Sequence, residues 1–322
     1  MAVNSDKPHL WKADIARSVD LYNEWFLRFA PTTFRETRAL TTVEVKEAFQ
    51  ATDFLRRIDS AVLEGNPGIL QTLRMVTAPP LARDRLIGLS GTTPTLIGAM
   101  ESDQRVPPRM AKERLASELD NIGSVFNSLI DHDLFPWLEG QRDPTPLEID
   151  RAASVVADRL CGAQADPIIR NAQERRQLSA IKAWLEHRGY QTAYIRDGSR
   201  LTDMPPGTYS LRLNVPVTQP SSGRPRTVNI PIDVVAMPRA ATAGRYPILL
   251  EAKSAGDFTN TNKRRKEEAT KASQLRSTYG LDLQLALFLC GYFDSGYLGY
   301  ESAEGIDFIW EHRIDDLEGL GL

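Results

Sequence analysis

The chain of 322 residues has only two cysteines, and none of its apolar runs approaches the ~18 residues needed to cross a bilayer. Cys161 and Cys290 are far apart, and Cys290 ends the apolar run 285–289, where a thiol is typical of a small core residue. Residues 1–7 are polar and lack the basic and apolar regions of a signal peptide. These absences exclude a disulfide scaffold and a membrane span, and they lead us to expect a cytoplasmic protein in a reducing compartment.

Several familiar catalytic motifs are also missing. The sequence contains no GxxxxGK(S/T) phosphate loop, no GxGxxG fingerprint, no HExxH and no paired CxxC. Its four histidines are scattered: His9, His132, His187 and His312. Nucleotide-driven motors, zinc fingers and nucleases with histidine-bound metals are therefore disfavoured. The formal net charge of -3 excludes a wholly basic nucleic-acid coat protein, although a local basic surface stays possible.

The first half of the chain has a helical pattern. Apolar residues from Trp11 to Phe29 recur every three or four positions, which predicts a helix that Pro31 ends. Thr41 and Glu44 have the spacing of a capping box and predict the start of a second helix. The residues of that helix expected to point inward are Phe49, Leu55, Ile58 and Val62.

Two more helices are expected in this half, at residues 109–134 and 146–160. Thr145 precedes the second as an N-cap, and Glu148 three residues later completes a capping box. At roughly 150 residues per domain, the length of the chain predicts two domains. We expect residues 1–165 to form the first, which is all-helical.

The pattern changes at Asp166, which is expected to cap a helix that has Pro167 in its first turn and ends at Gly189. Apolar and polar residues then alternate in two segments on either side of a turn-forming stretch, which predicts two paired strands. The expected elements are strands at 210–217, 228–235 and 246–253, a charged helix at 262–279, and strands at 283–290 and 306–311. This order predicts an α+β or α/β domain over residues 166–322, with a three-stranded meander.

Three polar residues on two consecutive predicted strands form the candidate catalytic site. Asp233 lies in the polar register of its strand, and Glu251 and Lys253 lie on the next strand. Because strand side chains alternate, Glu251 and Lys253 project from one face while Ala252 points to the other. An antiparallel hairpin can bring Asp233 next to Glu251. Two carboxylates held close repel each other unless a cation lies between them, and such oxygen ligands suit Mg²⁺.

Such a site has the parts for phosphodiester hydrolysis. A bound Mg²⁺ would polarise the phosphate and offset the charge that develops in the transition state. Lys253 would orient or help deprotonate the attacking water, or stabilise the developing charge, and the sequence does not separate these roles. A structural alternative stays open, in which Asp233 caps a hairpin and Glu251 forms with Lys253 an exposed ion pair worth less than about 1 kcal/mol.

These motifs resemble those of the PD-(D/E)xK nuclease superfamily, with Pro231-Ile232-Asp233 as the first half and Glu251-Ala252-Lys253 as the second. The expected order of helix, three strands, helix and strand is similar to the common core of that superfamily. More specifically, segments 232–260 and 289–297, together with 25–38 in the helical half, resemble the XamI-type family of type II restriction endonucleases. The resemblance covers nearly the whole chain.

The resemblance implies a Mg²⁺-dependent enzyme that cleaves double-stranded DNA at a short palindrome, and the family name suggests the sequence GTCGAC. Asp233 and Glu251 would bind the metal, and the main-chain carbonyl of Ala252 would be a further ligand. Lys253 would orient the attacking water or help to deprotonate it. Many superfamily members have a glutamate near the metal on the first core helix, and Glu174 is the matching position.

A palindromic target cut on both strands implies a homodimer, since two active sites related by a two-fold axis are then needed. Protection of the host implies a partner methyltransferase that acts on the same site. Under this resemblance, residues 1–165 would serve DNA recognition or dimerisation, and residues 166–322 would carry out catalysis.

Charge is segregated in the C-terminal half. Seven basic and four acidic residues lie from Glu251 to Gly280, whereas eight acidic residues and one arginine follow residue 292. A basic run at the start of a helix is disfavoured by the helix dipole, so contact with a polyanion would explain its placement. The candidate DNA-binding residues of this segment are Asn260, Asn262, Lys263, Arg264, Arg265 and Lys266. A solvated helix face, balanced by Glu267 and Glu268, is the structural alternative.

Residues 83–101 have the spacing of a helix-turn-helix, and Thr92, Thr93 and Thr95 lie at the start of its expected recognition helix. A plain helical hairpin explains the same pattern, because Pro94 by itself favours the start of a helix. Two other functions therefore stay open. One is a structure-specific repair or junction nuclease of the same fold, and the other is a non-enzymatic helix-turn-helix regulator that binds DNA.

Overall fold

The computed structural model describes residues 2–193, 200–219, 226–259 and 261–322, except for the side chains of residues 219 and 261–264. The chain divides into two compact units. Ala30–Ile169 forms one, called here the helical unit, and Met1–Phe29 with Arg170–Leu322 forms the other, called the sheet unit. The first 29 residues thus group with the sheet, whereas the division at residue 165 expected from the sequence places them in the helical half.

The helical unit contains parts of two long helices, α1 (Pro8–Ala51) and α7 (Pro146–His187). The shorter α-helices between them are α2 (Ser60–Gly65), α3 (Leu70–Met75), α4 (Arg83–Ser90), α5 (Pro94–Ser102) and α6 (Lys112–Leu129). The residues predicted to point inward are all buried: Phe49, Leu55, Ile58 and Val62. No helix among the described residues is long and apolar enough to cross a membrane.

Both long helices continue through a proline that the sequence pattern treats as a boundary. Pro31 lies inside α1 and Pro167 inside α7, so the predicted helix end at Pro31 and the predicted N-cap at Asp166 are wrong. A proline in a helix interior costs about 3 kcal/mol, because one hydrogen bond is lost and the ring clashes with the preceding turn. Tertiary packing offsets this cost, since Val45 of α1 and Val156 of α7 are fully buried in the same core.

The two predicted capping boxes have different outcomes. Thr41 lies inside α1, where its hydroxyl donates to the carbonyl of Thr37 at 2.8 Å, so it caps no helix. Thr145 does cap α7. Its backbone N–H donates to the Glu148 carboxylate at 2.8 Å, and the N–H of Glu148 donates back to the Thr145 hydroxyl at 3.3 Å. This reciprocal pair is the geometry that the spacing predicts.

The sheet unit contains, within the described residues, a six-stranded mixed sheet whose strands follow the chain order. Its strands are β1 (Gln191–Thr192), β2 (Thr208–Gln219), β3 (Arg226–Met237), β4 (Ile248–Ala255), β5 (Gln284–Gly291) and β6 (Asp307–Trp310). Strands β2 to β4 are antiparallel, which confirms the predicted meander, and the other pairings are parallel. Helix α8 (Thr261–Tyr279) precedes β5, and α9 (Ser295–Ala303), which was not predicted, precedes β6. The fold class is therefore α+β.

Helices cover both faces of this sheet. Leu249 on one face belongs to a core with Leu275 of α8, and this core also includes Trp11 of α1. Leu250 on the other face belongs to a core with Ile181 of α7. Helices α7 and α8 thus enclose the central strands, and the burial of Trp11 explains why the start of α1 groups with the sheet.

The predicted alternation along β3 does not continue through Asp233. Ile230 and Ile232 belong to the core on the α8 side, whereas Val234 belongs to the core on the α7 side. The sequence pattern predicts one continuous apolar face that includes Ile230, Ile232 and Val234, and that prediction is wrong. The face that is buried changes at Asp233.

On the neighbouring strand β2, the backbone conformation also breaks at the residue opposite Asp233, which is Arg212. Its φ is 52°, in the left-handed region, while its neighbours in the strand remain paired with β3: Leu211 with Val234 and Leu213 with Ile232. Arg212 therefore lies opposite Asp233 at a local break in the strand conformation. The left-handed conformation costs a residue other than glycine about 1–2 kcal/mol.

Candidate active site

Asp233 and Glu251 lie where strands β3 and β4 separate. The last registered pair of this ladder is Val234 with Leu250, so Asp233 and Glu251 occupy the next opposing positions. At this point the N–H of Ala252 donates to Oδ2 of Asp233 at 2.8 Å, and thus bonds to a side chain on β3. The end of the ladder therefore brings the two predicted carboxylates to adjacent positions on neighbouring strands.

Two ammonium groups flank the carboxylate of Glu251, which is 3% exposed. Lys253 Nζ lies 3.3 Å from Oε2, and Lys271 Nζ lies 2.8 Å from Oε1. The approach of Lys271 is an ion pair without hydrogen-bond geometry, since Oε1 receives no well-directed hydrogen bond. The predicted Glu251 and Lys253 thus share one face of β4, and α8 contributes a second cation that the sequence reasoning did not place here.

The pKa values of Asp233 and Lys253 are both raised in this site. Burial raises the pKa of Asp233, and the negative charge of Glu251 raises it further, while the hydrogen bond from Ala252 opposes both effects. Burial alone would lower the pKa of Lys253, but the charges of Glu251, Glu268 and Asp233 outweigh burial and raise it. Lys253 is therefore held as an ammonium ion.

A second group of buried carboxylates lies behind Lys253. Glu268 of α8 has an oxygen 3.9 Å from Lys253 Nζ, and the hydroxyl of Tyr297 donates to Glu268. Glu301 of α9 is fully buried, and burial together with the charge of Glu268 raises its pKa to about 9. Lysine 253 thus lies between the carboxylates of the strands and those of the helices.

Lys271 and Glu268 are the site residues that sequence reasoning missed. They are three positions apart on α8, and the apolar residues Ala272 and Leu275 of the same helix are buried. Charged residues at i and i+3 beside a buried apolar stripe were the available signal. The sequence does not show that this stripe packs on the strand that carries Glu251.

Glu174 lies on α7, close enough for its charge to raise the pKa of Asp233 slightly. Its carboxylate forms an ion pair with Arg212 at 2.8 Å, and the two residues line a cleft that Asp233 also lines. The structure thus brings Glu174 to the neighbourhood of Asp233, although its observed partner is a guanidinium group. An exposed pair of this kind contributes about 0–1 kcal/mol to stability.

The donor set fits a hard divalent cation. Asp233 and Glu251 supply carboxylate oxygens, and the carbonyl of Ala252 lies on the same side of β4 as its N–H, toward Asp233. No group of three Asp, Glu, His or Cys side chains suited to a metal occurs within the described part of the chain. A cation held here would therefore need backbone and water oxygens in addition. Mg²⁺ is commonly coordinated in this way, by one or two carboxylates and several waters.

The predicted DNA-binding segment is only partly described. Asn260 lies outside the described residues, and the side chains of Asn262, Lys263 and Arg264 in α8 are likewise not described. The guanidinium of Arg265 lies 5.1 Å from the ring centre of Tyr300, which is a cation–π contact. Lys266 is exposed and lines a cleft between β3 and α8.

The predicted helix pair at residues 83–101 exists as α4 and α5, joined at Gly91. Thr92 is buried, and its hydroxyl is 2.7 Å from that of Ser90. Both the N–H and the hydroxyl of Thr93 donate to Glu118 at 2.9 Å. Thr95 is exposed, so among the three threonines it is the one whose side chain faces solvent.

The chain is similar in sequence to known proteins. The profile of the XamI restriction endonuclease family matches residues 53–310. Type II restriction enzyme SalI from Streptomyces albus G is 53% identical over 319 residues, which are 99% of this chain and 99% of that protein. A solved structure, protein VC1899 from Vibrio cholerae, matches 80% of this chain and 55% of that chain, with 14% identity. Its TM-score of 0.28 is too low to support any argument.

The sequence matches define the class of protein: it is a type II restriction endonuclease, a site-specific deoxyribonuclease that acts on DNA. The chain belongs to the XamI restriction endonuclease family. The resemblance inferred from the strand motifs is thereby confirmed. The alternatives of a structure-specific repair nuclease and of a non-enzymatic regulator are set aside.

Proposed function

We propose that the protein hydrolyses phosphodiester bonds of double-stranded DNA at a short palindrome, with Asp233, Glu251 and Lys253 as the catalytic residues of a PD-(D/E)xK core. One observation carries this proposal: the two carboxylates occupy opposing positions where β3 and β4 separate, with a lysine ammonium 3.3 Å from Glu251. The order of α7, the meander, α8 and β5 agrees with such a core.

The cofactor we propose is Mg²⁺, held by Asp233, Glu251 and the main-chain carbonyl of Ala252. When bound, it would offset the negative charge that develops on the scissile phosphate. Lys253, as an ammonium ion, would orient the attacking water or stabilise the same charge. Glu174 would assist from α7, on the side of Asp233 that faces away from α8.

The target we propose is the palindrome GTCGAC, cut by a homodimer so that each strand meets one active site. Residues 1–165 would serve DNA recognition or dimerisation, and residues 166–322 would carry out catalysis. In the host, a partner methyltransferase would modify the same sequence. The DNA-binding residues proposed on and before α8 are Asn260, Asn262, Lys263, Arg264, Arg265 and Lys266. On α5 the proposed residue is Thr95, whereas the hydroxyls of Thr92 and Thr93, which the sequence also suggested, are bonded within the helical unit.

Digestion of a phage genome tests activity and target together. Purified protein with Mg²⁺ should give discrete fragments, and sequencing of their ends should return one hexanucleotide. Fragments with heterogeneous ends would contradict a site-specific mechanism. Discrete ends at another sequence would contradict only the proposed target GTCGAC and not the site-specific activity.

Glu251→Gln tests the site itself. The amide removes a charge that we assign to metal binding, so cleavage should fall by about a hundredfold to a thousandfold, the scale of losing a group that acts in the transition state. Binding to the target in calcium buffer should persist. The matched control is Glu318→Gln. Glu318 is an exposed carboxylate that pairs with Arg188, and this variant should cut at the normal rate. Equal activity of both variants would overturn the assignment of Glu251.

A further inference from the structure

Arg212 has a left-handed backbone at the point where the buried face of β2 changes, and that change does not by itself require an arginine. The strand pairs normally on both sides of it, yet its own backbone is left-handed, which glycine adopts freely and arginine does not. Strained positions of this kind concentrate at functional sites. The presence of an arginine where glycine would remove the strain therefore points to a role for the side chain.

The observed partner of the side chain does not supply that role. Arg212 pairs with Glu174, but 60% of the Arg212 side chain and 39% of the Glu174 side chain are exposed. An ion pair this exposed stabilises less than the left-handed backbone costs. As a structural contact alone, the pair leaves the strain uncompensated.

The cleft beside Arg212 contains a second arginine, together with the carboxylates of Glu174 and Asp233. The cleft that it lines is also lined by Arg175 and Asn171 of α7, and by Asp233, the proposed metal ligand. An arginine guanidinium presents several N–H groups in a fixed plane that matches the oxygens of a phosphate. A backbone phosphate that entered this cleft would meet two guanidinium groups directly beside Asp233.

We propose that Arg212 binds a phosphodiester of the DNA backbone next to the one that is cut, and that Glu174 holds its guanidinium in place until DNA binds. This inference rests on the proposed function, because it uses Asp233 to locate the bond that is cut. Glu174 and the DNA phosphate compete for the same N–H groups. Binding of the duplex therefore exchanges one anionic partner of Arg212 for another.

Arg212→Gly is the test, because it removes the guanidinium and the backbone strain together. Affinity for a target duplex in chelator, without metal, should fall about tenfold, the scale of one charge-assisted contact. The slope of the logarithm of the binding constant against the logarithm of the salt concentration should become less negative by about one. The thermal midpoint should be unchanged or higher. In Mg²⁺, KM should rise more than kcat falls.

The control is Arg188→Gly, a half-buried arginine in the same unit that also pairs with carboxylates and that should keep wild-type binding and salt dependence. A second comparison uses Glu174→Gln, which should tighten binding in chelator in the wild-type background. In the Arg212→Gly background that tightening should vanish if Glu174 acts by holding Arg212. If it persists unchanged, Glu174 acts only through its charge and the holding role is wrong.

The inference is overturned if Arg212→Gly binds DNA with wild-type affinity and salt dependence. If Glu251→Gln is inactive in that case, the proposed function stands and only the role of Arg212 fails. If Arg212→Gly loses binding as expected but Glu251→Gln still cuts DNA, the proposed active site fails. The two hypotheses are thus separated by binding in chelator and by cleavage in Mg²⁺.

Discussion

The carboxyl group of Glu301 on α9 is fully buried beside that of Glu268. Since its pKa is raised to about 9, the folded protein keeps this proton at pH values where the unfolded chain, with a pKa near 4.5, has lost it. The contribution of protonated Glu301 to the free energy of unfolding is therefore complete below about pH 4.5 and is lost as the pH rises through about 9.

We expect Glu301→Gln to reduce this loss, because the amide has a similar shape and does not ionise. The free energy of unfolding of the variant, measured with urea between about pH 5 and about pH 9, should decline less than that of the wild type. Asp282→Asn, a change at an exposed carboxylate elsewhere in the sheet unit, is the control and should follow the wild type. Parallel curves for wild type and Glu301→Gln would show that Glu301 is already ionised at neutral pH.

For single residues, the sequence predicts the positions that depend on local structure, such as the alternation of side chains along a strand. Asp233, Glu251 and Lys253 follow from strand alternation and from one hairpin, and the structure brings them together. Lys271 and Glu268 were missed because their place depends on how α8 packs across the sheet. The strain at Arg212 was also missed, because Arg212 fits the alternating pattern and nothing in its neighbours signals a left-handed backbone.

Among the elements, α6 depends on one glycine for its position. A Cβ at Gly123 would lie 2.3 Å from the carbonyl oxygen of Ile58, which precedes α2. Gly162 on α7 offers a matched comparison in the same unit, since no atom lies within 4 Å of a Cβ placed there. The same substitution at these two positions should therefore have opposite effects.

Gly123→Ala should lower the free energy of unfolding by about 1–3 kcal/mol, because α6 or the chain at Ile58 must shift. Gly162→Ala should raise it by about 0.5–1 kcal/mol, because alanine favours the helix and meets no obstacle. Urea denaturation of both variants tests the pair. A stable Gly123→Ala protein would mean that the close approach of α6 to Ile58 is dispensable.

The strands were easier to predict than the helix boundaries. Alternation and turn residues mark β2, β3 and β4 locally, whereas Pro31 and Pro167 are strong local stop signals that packing overrides. Helix α9 contains two glycines and little apolar periodicity, so it was missed. A signal was nevertheless present, since the side chain of Asp294 caps α9 by accepting the N–H of Tyr297 at 2.7 Å.

The whole molecule is close to neutral, yet residues 251–280, which include most of the proposed catalytic strand and α8, hold seven basic and four acidic residues, and acidic residues dominate the segment after them. This arrangement favours contact with a polyanion along one part of the surface. It does not determine how many chains act together. That question belongs to the proposed homodimer, in which each strand of the palindrome is cut by one subunit.

A dimer assembled from one wild-type and one Glu251→Gln chain, purified by two different tags, should nick a supercoiled plasmid and stop there. Only one strand of the target then meets a working site, so open circles should accumulate, whereas the wild-type dimer gives linear product. Agarose electrophoresis separates these forms. Linear product from the mixed dimer would show that a single site cuts both strands.

The two lysines beside Glu251 have a consequence for enzyme that is free of metal. Lys253 and Lys271 act as built-in counterions, so the carboxylate does not depend on magnesium for charge compensation. Treatment with EDTA should abolish cleavage yet shift the thermal midpoint by less than about 2 °C, within about 1 kcal/mol. If Mg²⁺ is the cofactor, as proposed, the enzyme should stay folded but inactive when the ion is scarce and regain activity when the ion is restored.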